Sequence, residues 1–260
     1  ADCVNYSKSL VKTMKNITLI SNWKLRDPYV AMFKGQLWKA IPDANIIDIT
    51  HAVDGFSVEQ TAFILKNSYK SFPEQTLHII LTGTTMSHTS MPVMVEYDRH
   101  FFMGEDSGVF SLLFGDDAEI KATALNLPDE SNTVLEKCVT MAQLHFEGKL
   151  QEHTQPYENF VRKIQLAPDH DTVNKIITGH VAYIDTNCNA VTDIPVEMFR
   201  KAVKKGNFSL ILSSIKHITV TRYHDFYDPK EEDVYITNNR LGYMELTLNN
   251  SRIAVLADLH

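Results

Sequence analysis

Apolar positions first gather into an unbroken run at 17–21, ITLIS, and again at 45–50, NIIDIT, with a stretch of helical periodicity between them. Within that stretch Val30, Phe33, Leu37 and Ile41 recur at intervals of three and four, which predicts a helix with one apolar face. Asp27 is the expected N-cap, and Pro28 suits the first helical position, where a missing N–H leaves no bond unmade. Strand, helix and strand in this order predict a parallel βαβ unit, and ligands in such sheets sit beyond the carboxyl ends of the strands. Ser21, Asn22 and Trp23 after the first strand, and Thr50 and His51 after the second, are therefore expected along one rim, and the function with them. Asp48, between Ile47 and Ile49, is expected as a buried carboxylate in a central strand, either a structural acceptor or a site residue.

The pattern then repeats. Ser57 and Gln60 form a capping-box pair ahead of a helix with Val58, Ala62, Leu65 and Tyr69 as its buried stripe, and TLHIILT at 76–82 is a third apolar strand. Such alternation is the start of a doubly wound α/β sheet. Shorter strands follow at PVMVEYD, HFFMGE and EIKATAL, then a helix from about Ser131 with Leu135, Val139, Ala142 and Phe146 on one face and Gly148 as its stop. Residues 149–170 are polar, carry Pro156 and Pro168, and read as a connector. Beyond it, strands at IITGHVAYID, FSLILSS, HITVTRY, DVYITN, LGYMELTL and IAVLADL, with one short helix near Val196–Lys204, predict an all-β domain, barrel or sandwich.

Composition narrows the function classes. The net charge of −7 and the lack of a basic stripe argue against nucleic acid as the main partner. No apolar run reaches the roughly 18 residues of a membrane span, so no membrane partner is expected. The N-terminus lacks the apolar core of a signal peptide, and residues 1–16 read as a lead-in. Cys3, Cys138 and Cys188 are too scattered for a disulfide framework or a zinc knuckle, and a cytoplasmic location is the expectation. The eleven histidines form no H-x-x-x-H pair, so no metal site is expected and most are expected at the surface. Neither a P-loop nor G-x-G-x-x-G is present, nor a G-x-S-x-G elbow. The hydroxyl-rich run LTGTTMSHTS at 81–90, just past the third strand, reads either as a polar-ligand or anion loop or as a solvated one.

Taken together, ITLISNWKLRDPYVAMFKG, IPDANIIDITHAV, FFMGEDSGVFSLL, GHVAYIDTNCNAVTDI and NNRLGYMELTLNN resemble, in order and spacing, the S-adenosylmethionine hydroxide adenosyltransferase family, relatives of the fluorinase and chlorinase. The resemblance implies an α/β N-terminal domain with a doubly wound, mainly parallel sheet (17–150), a connector (151–171) and an all-β, barrel-like C-terminal domain (172–260). It also implies a homotrimer with a nucleoside site between one subunit's N-domain and its neighbour's C-domain. S-adenosylmethionine would be substrate or ligand, with no separate cofactor.

What the resemblance implies for individual residues is uneven. Asp27, Pro28, Tyr29, Asp48, Thr50 and His51 agree with the family pattern, but Asn22, followed by Trp23, stands where the family has a ribose-binding aspartate. Phe56 falls where the halogenases carry a tryptophan beside the ligand, and Thr85 falls at the halide position, though its serine partner aligns with Ala142. Asp185, Asn189 and Thr192 match the adenine-side motif without its stacking aromatic, and Asn239, Gly242 and Glu245 match a later motif in which Arg240 replaces a serine. The aspartate, arginine and histidine that position water in the hydrolases become Thr82, Thr89 and Thr133. Threonine is neither a charged orienter nor a base near neutral pH. Two functions are therefore expected: a divergent S-adenosylmethionine- or adenosine-binding protein, an adenosine-forming hydrolase or adenosyltransferase if active at all, or a non-catalytic trimeric binding or scaffold protein that keeps the fold.

Overall fold

In the computed structural model, residues 14–84, 88–115, 120–126, 132–164, 167–203, 207–212, 219–249 and 251–256 are described. The chain divides into two compact units, Ala1–Lys163 and Ile164–His260. The first contains β1 (Lys15–Ile20), α1 (Tyr29–Ala40), β2 (Ala44–Thr50), α2 (Val58–Ser68), β3 (Leu77–Ile80), β4 (Pro92–Tyr97), β5 (His100–Glu105), α3 (Val109–Phe114), β6 (Lys121–Leu125), α4 (Val134–Phe146) and β7 (Thr154–Pro156).

These strands form one seven-stranded sheet in the order β2-β1-β3-β5-β4-β6-β7. The β2, β1, β3 and β5 neighbours run parallel, and the pairings from β4 onward are antiparallel. β1 lies between β2 and β3 and is apolar on both faces, with Ile17, Leu19 and Ile20 fully buried. Such continuous burial is what a parallel strand covered on both sides requires. One face packs Phe33 and Leu37 of α1 with Cys138 and Met141 of α4, and the other packs Ala62 and Leu65 of α2 with Phe110 and Leu113 of α3.

Several expectations change. β2 lies at the sheet edge, not its centre, because the connections from β1 and β2 place β2 and β3 on opposite sides of β1. Asp48 is consequently not buried: its side chain is 35% exposed and pairs with Lys34. Asp27 does not cap α1. The chain enters through a turn, Pro28 takes the N-cap place with no side-chain bond, and its carbonyl accepts from the Met32 N–H. Ser57 does cap α2, accepting from Gln60 N at 3.1 Å, but the Gln60 side chain binds Asp54 rather than returning to the cap. The inner face of α4 is Val134, Cys138, Met141 and Ala142, with Leu135, Val139 and Phe146 only partly covered. Gly148, at φ 71°, ends α4, with its own N–H on His145 O and that of Lys149 on Leu144 O. That crossed pair of bonds needs the left-handed conformation glycine adopts freely. The presumed connector contributes β7 to the sheet.

The histidines are not mostly at the surface in this unit. His51, His78 and His100 are buried. His78 Nδ1 lies 2.7 Å from Thr18 Oγ1 and its Nε2 3.2 Å from His100 Nδ1, and burial pushes its pKa down to about 3. It is a neutral core group.

The second unit contains β8 (Asp169–Asp171), β9 (Ile176–Thr178), β10 (Val181–Ile184), β11 (Ala190–Pro195), α5 (Val196–Val203), β12 (Leu210–Ile211), β13 (Thr219–Val220), β14 (Tyr223–His224), β15 (Tyr235–Asn238), β16 (Tyr243–Thr247) and α6 (Ile253–Leu256). A five-stranded sheet runs β10-β11-β16-β15-β14, and β8–β9 and β12–β13 form separate pairs. Val196 and Phe199 of α5 pack with Ala190, Ile236, Met244 and Leu246 in its core. The run IITGHVAYID, expected as one strand, breaks at Gly179 and His180, where His180 N turns to Asp193 Oδ1 at 2.7 Å.

Candidate functional site

The strand order reverses direction at β1: β2 lies on one side and β3 on the other. Open α/β sheets present a crevice at such a point, outside the carboxyl ends of the strands. Here Ile20 pairs with Ile80 and Leu81 N donates to Ile20 O at 2.8 Å, so the turn beginning at Ser21 and the loop beginning at Leu81 leave the sheet side by side. Asn22 and Thr82 stand at that exit.

Asn22 is half-buried and donates through Nδ2 to Gly55 O at 2.5 Å. Trp23 is engaged edge-on with Tyr29 and Phe33, at 6.4 and 6.0 Å between ring centres, so it packs on α1 rather than offering a free face. Phe56 is 75% exposed. Its ring covers Gly83, where an added Cβ would come within 3.8 Å of it, so the loops after β2 and β3 meet. Thr82 is buried, and its Oγ1 finds no hydrogen-bond partner among the described residues. Thr85 lies outside the described residues.

Thr89 is exposed and Thr133 caps α4, its Oγ1 accepting from Glu136 N while Glu136 Oε2 accepts from Thr133 N at 2.8 Å. The link between them is a residue that the sequence pattern did not single out. Lys137, fully buried, reaches from the first turns of α4 to the carbonyls of His88 and Ser90. Its helical position beside Cys138 and Met141 was the available signal, since a lysine on an inner face needs oxygen partners. His51 and Ser21 are the other buried polar pair at the rim, with Ser21 Oγ 2.7 Å from His51 Nδ1.

In the second unit Asp185, Asn189, Asn239, Arg240 and Glu245 line one groove of about 1030 Å³. Asp185 Oδ1 accepts from Asn187 N and Asn189 N, both at 2.8 Å, and closes the β10–β11 turn, in which Cys188 adopts φ 60°. Asn189 is held in turn by Thr247 Oγ1 at 2.7 Å. Burial, and then the charge of Asp185, push the Glu245 carboxyl up to about 7. Asn239 Oδ1 accepts from Leu241 N and Tyr243 N, both at 2.9 Å. Asn239 Nδ2 and Thr237 Oγ1 have no partner among the described residues. Thr192 instead donates to Met244 O at 2.7 Å and is part of the sheet. At the groove's rim are Phe226 and Tyr227, 82% and 59% exposed, aromatic faces absent from the motif at 187–189.

Residues 17–146 match the profile of the SAM hydroxide adenosyltransferase N-terminal domain, and residues 179–260 that of the C-terminal domain. The chain belongs to this family. The (R)-S-adenosyl-L-methionine hydrolase of Thermus thermophilus is 25% identical over 115 residues, 44% of this chain and 45% of that protein. The (R)-S-adenosyl-L-methionine hydrolase of Methanocaldococcus jannaschii is 26% identical over 100 residues, 36% of this chain and 38% of that protein. The chain thus spans less than half the length of these curated relatives. An uncharacterized conserved protein from Thermotoga maritima shares the fold with a TM-score of 0.78 at 18% identity, covering 94% of this chain and 96% of that one. A conserved hypothetical protein from Thermus thermophilus does so with a TM-score of 0.69 at 20% identity, covering 95% and 97%.

Among the described residues no three His, Cys, Asp or Glu side chains converge as a metal site, and no helix is long and apolar enough to cross a membrane.

Proposed function

We propose that this chain is a divergent member of its family that binds S-adenosylmethionine, or the adenosine part of it, and has lost most of the hydrolytic chemistry. The observation that carries the reading is the position of Asn22 and Thr82, each two residues beyond the paired ends of β1 and β3, where the strand order reverses. A polar amide and a buried hydroxyl without a partner among the described residues, at a topological switch point, suit a neutral, hydroxyl-bearing ligand such as a ribose. Asn239, Glu245 and the exposed rings of Phe226 and Tyr227 give the second unit's groove the mixture of polar groups and flat faces that a nucleobase needs.

The family reaction is a displacement at the ribose C5′. Water attacks that carbon, the C5′–S⁺ bond breaks, methionine leaves as a neutral thioether, adenosine forms, and one proton passes to solvent. Thr82, Thr89 and Thr133 carry no charge to orient the water and have no pKa near neutrality with which to take its proton. Turnover in this chain then relies on desolvation of the nucleophile alone. With this reading goes the homotrimer that the sequence resemblance implies.

The test restores the three charged residues. Thr82→Asp, Thr89→Arg and Thr133→His together should yield adenosine and methionine, separated by chromatography, where the natural chain yields little or none. No gain in the folded triple variant would leave the second reading, a non-catalytic trimeric scaffold. The exposure of Thr89, at the far end of the hydroxyl run, favours that alternative.

A further inference from the structure

We infer that His51 is a positioning residue for the strand-end crevice: through Ser21 it fixes the turn that presents Asn22, and so sets ligand affinity there. The inference rests on the binding function proposed above.

The turn after β1 is stitched to the loop after β2 more than to itself. Ser21 N donates to Thr50 O at 3.0 Å, Lys24 N to His51 O at 2.6 Å, and Val53 N to Ser21 O at 3.3 Å. Lys24 sits at φ 61°, a left-handed conformation that a lysine holds only where its surroundings impose it. Within this frame a single side-chain hydroxyl meets the turn from inside. Ser21 is 0% exposed, and its Oγ accepts from Trp23 N at 3.3 Å.

Ser21 Oγ also lies 2.7 Å from His51 Nδ1, and Asp48 Oδ1 beside Nε2 favours the imidazole hydrogen on Nε2, which turns the Ser21 hydrogen towards Nδ1. Nδ1 is the acceptor in this arrangement. Nε2 lies 3.0 Å from Asp48 Oδ1, off the line of its N–H, and Asp48 Oδ2 is held by Lys34 Nζ at 2.6 Å. The hydrogen-bonded path therefore runs from His51 through Ser21 to the Trp23 amide, with Asp48 beside the imidazole at its far end. Without the imidazole, the buried Ser21 hydroxyl loses the acceptor for its hydrogen. Reorienting to find another releases Trp23 N, and Asn22 moves with it.

The test uses the full chain labelled with 15N at its two tryptophans, Trp23 and Trp38, together with titration of S-adenosylmethionine. His51→Ala should shift or broaden the Trp23 signals, leave Trp38 unchanged, and weaken binding about tenfold, the effect of one buried hydrogen bond. His51→Asn keeps a polar atom at the place of Nδ1 and should restore both readouts to within about threefold of the natural chain. His51→Gln keeps only the Nε2 place and should not, which preserves the test if His51→Ala fails to fold. A merely structural histidine would lower the unfolding midpoint equally in all variants without this Asn–Gln split. Unchanged Trp23 signals in folded His51→Ala or His51→Gln would overturn the inference. If Trp23 responds as expected but the natural chain binds no S-adenosylmethionine, the positioning of the turn stands and the binding function fails.

Discussion

Glu245 matches a family motif in the sequence, but its place in an alternating strand gives no sign of an unusual carboxyl. In the fold it is largely covered and faces Asp185, and its carboxyl is pushed up from 4.5 to about 7. Between those values the folded chain holds a proton that the unfolded chain has released, so stability falls as pH rises from 4.5 to 7. Glu245→Gln should remove that part of the slope, seen as urea midpoints that diverge from the natural chain across this window and run parallel outside it. Parallel curves throughout would show that Glu245 titrates normally. Residue type alone did not reveal this, because the shift comes from burial and from the Asp185 carboxylate, brought close by the pairing of Val191 with Glu245 across β11 and β16. Asp48 is the opposite case. Its apolar neighbours Ile47 and Ile49 suggested burial, yet an edge strand leaves it free to meet Lys34 at the surface. Thr82 stood out in the sequence only as a candidate position, and the burial that leaves its hydroxyl unpartnered among the described residues was not legible.

Among the elements, α2 was legible because its apolar stripe and its Ser57 cap agree. α4 was legible in existence and in its stop at Gly148, but it starts at Val134 rather than about Ser131, and its facing was not legible. Its inner face carries Lys137, whose burial is made tolerable by the His88 and Ser90 carbonyls, oxygens no periodicity argument can see. The reciprocal bonds between Thr133 and Glu136 fix where α4 starts. Thr133→Ala should destabilise the chain by about 1 kcal/mol, measured as a lowered urea midpoint at unchanged m-value. Glu136→Ala should cost a similar or smaller amount and add little to Thr133→Ala, since the two share one cap. Full additivity would mean that they act independently. The same loss accompanies Thr133→His in the restored variant, so its activity is meaningful only alongside its unfolding midpoint.

At the scale of the whole molecule, the change from strand–helix alternation to closely spaced strands was visible because helical and strand periodicities differ, but it begins at β4, inside the first compact unit, and the units divide at Lys163. Sheet order was less accessible. Which strands flank which depends on the side to which each crossover turns, and that choice put β1 between β2 and β3, reversed the strand order there, and brought Asn22 and Thr82 to one exit. The candidate site is thus a product of topology acting on residues that were each individually visible. The measurement that bears on it most directly is isothermal titration of the natural chain with S-adenosylmethionine and with adenosine, followed by chromatography of the same mixtures. The account predicts saturable binding with little or no release of adenosine and methionine. The absence of binding to either compound would contradict it, as would rapid product formation without any charged residue at positions 82, 89 and 133.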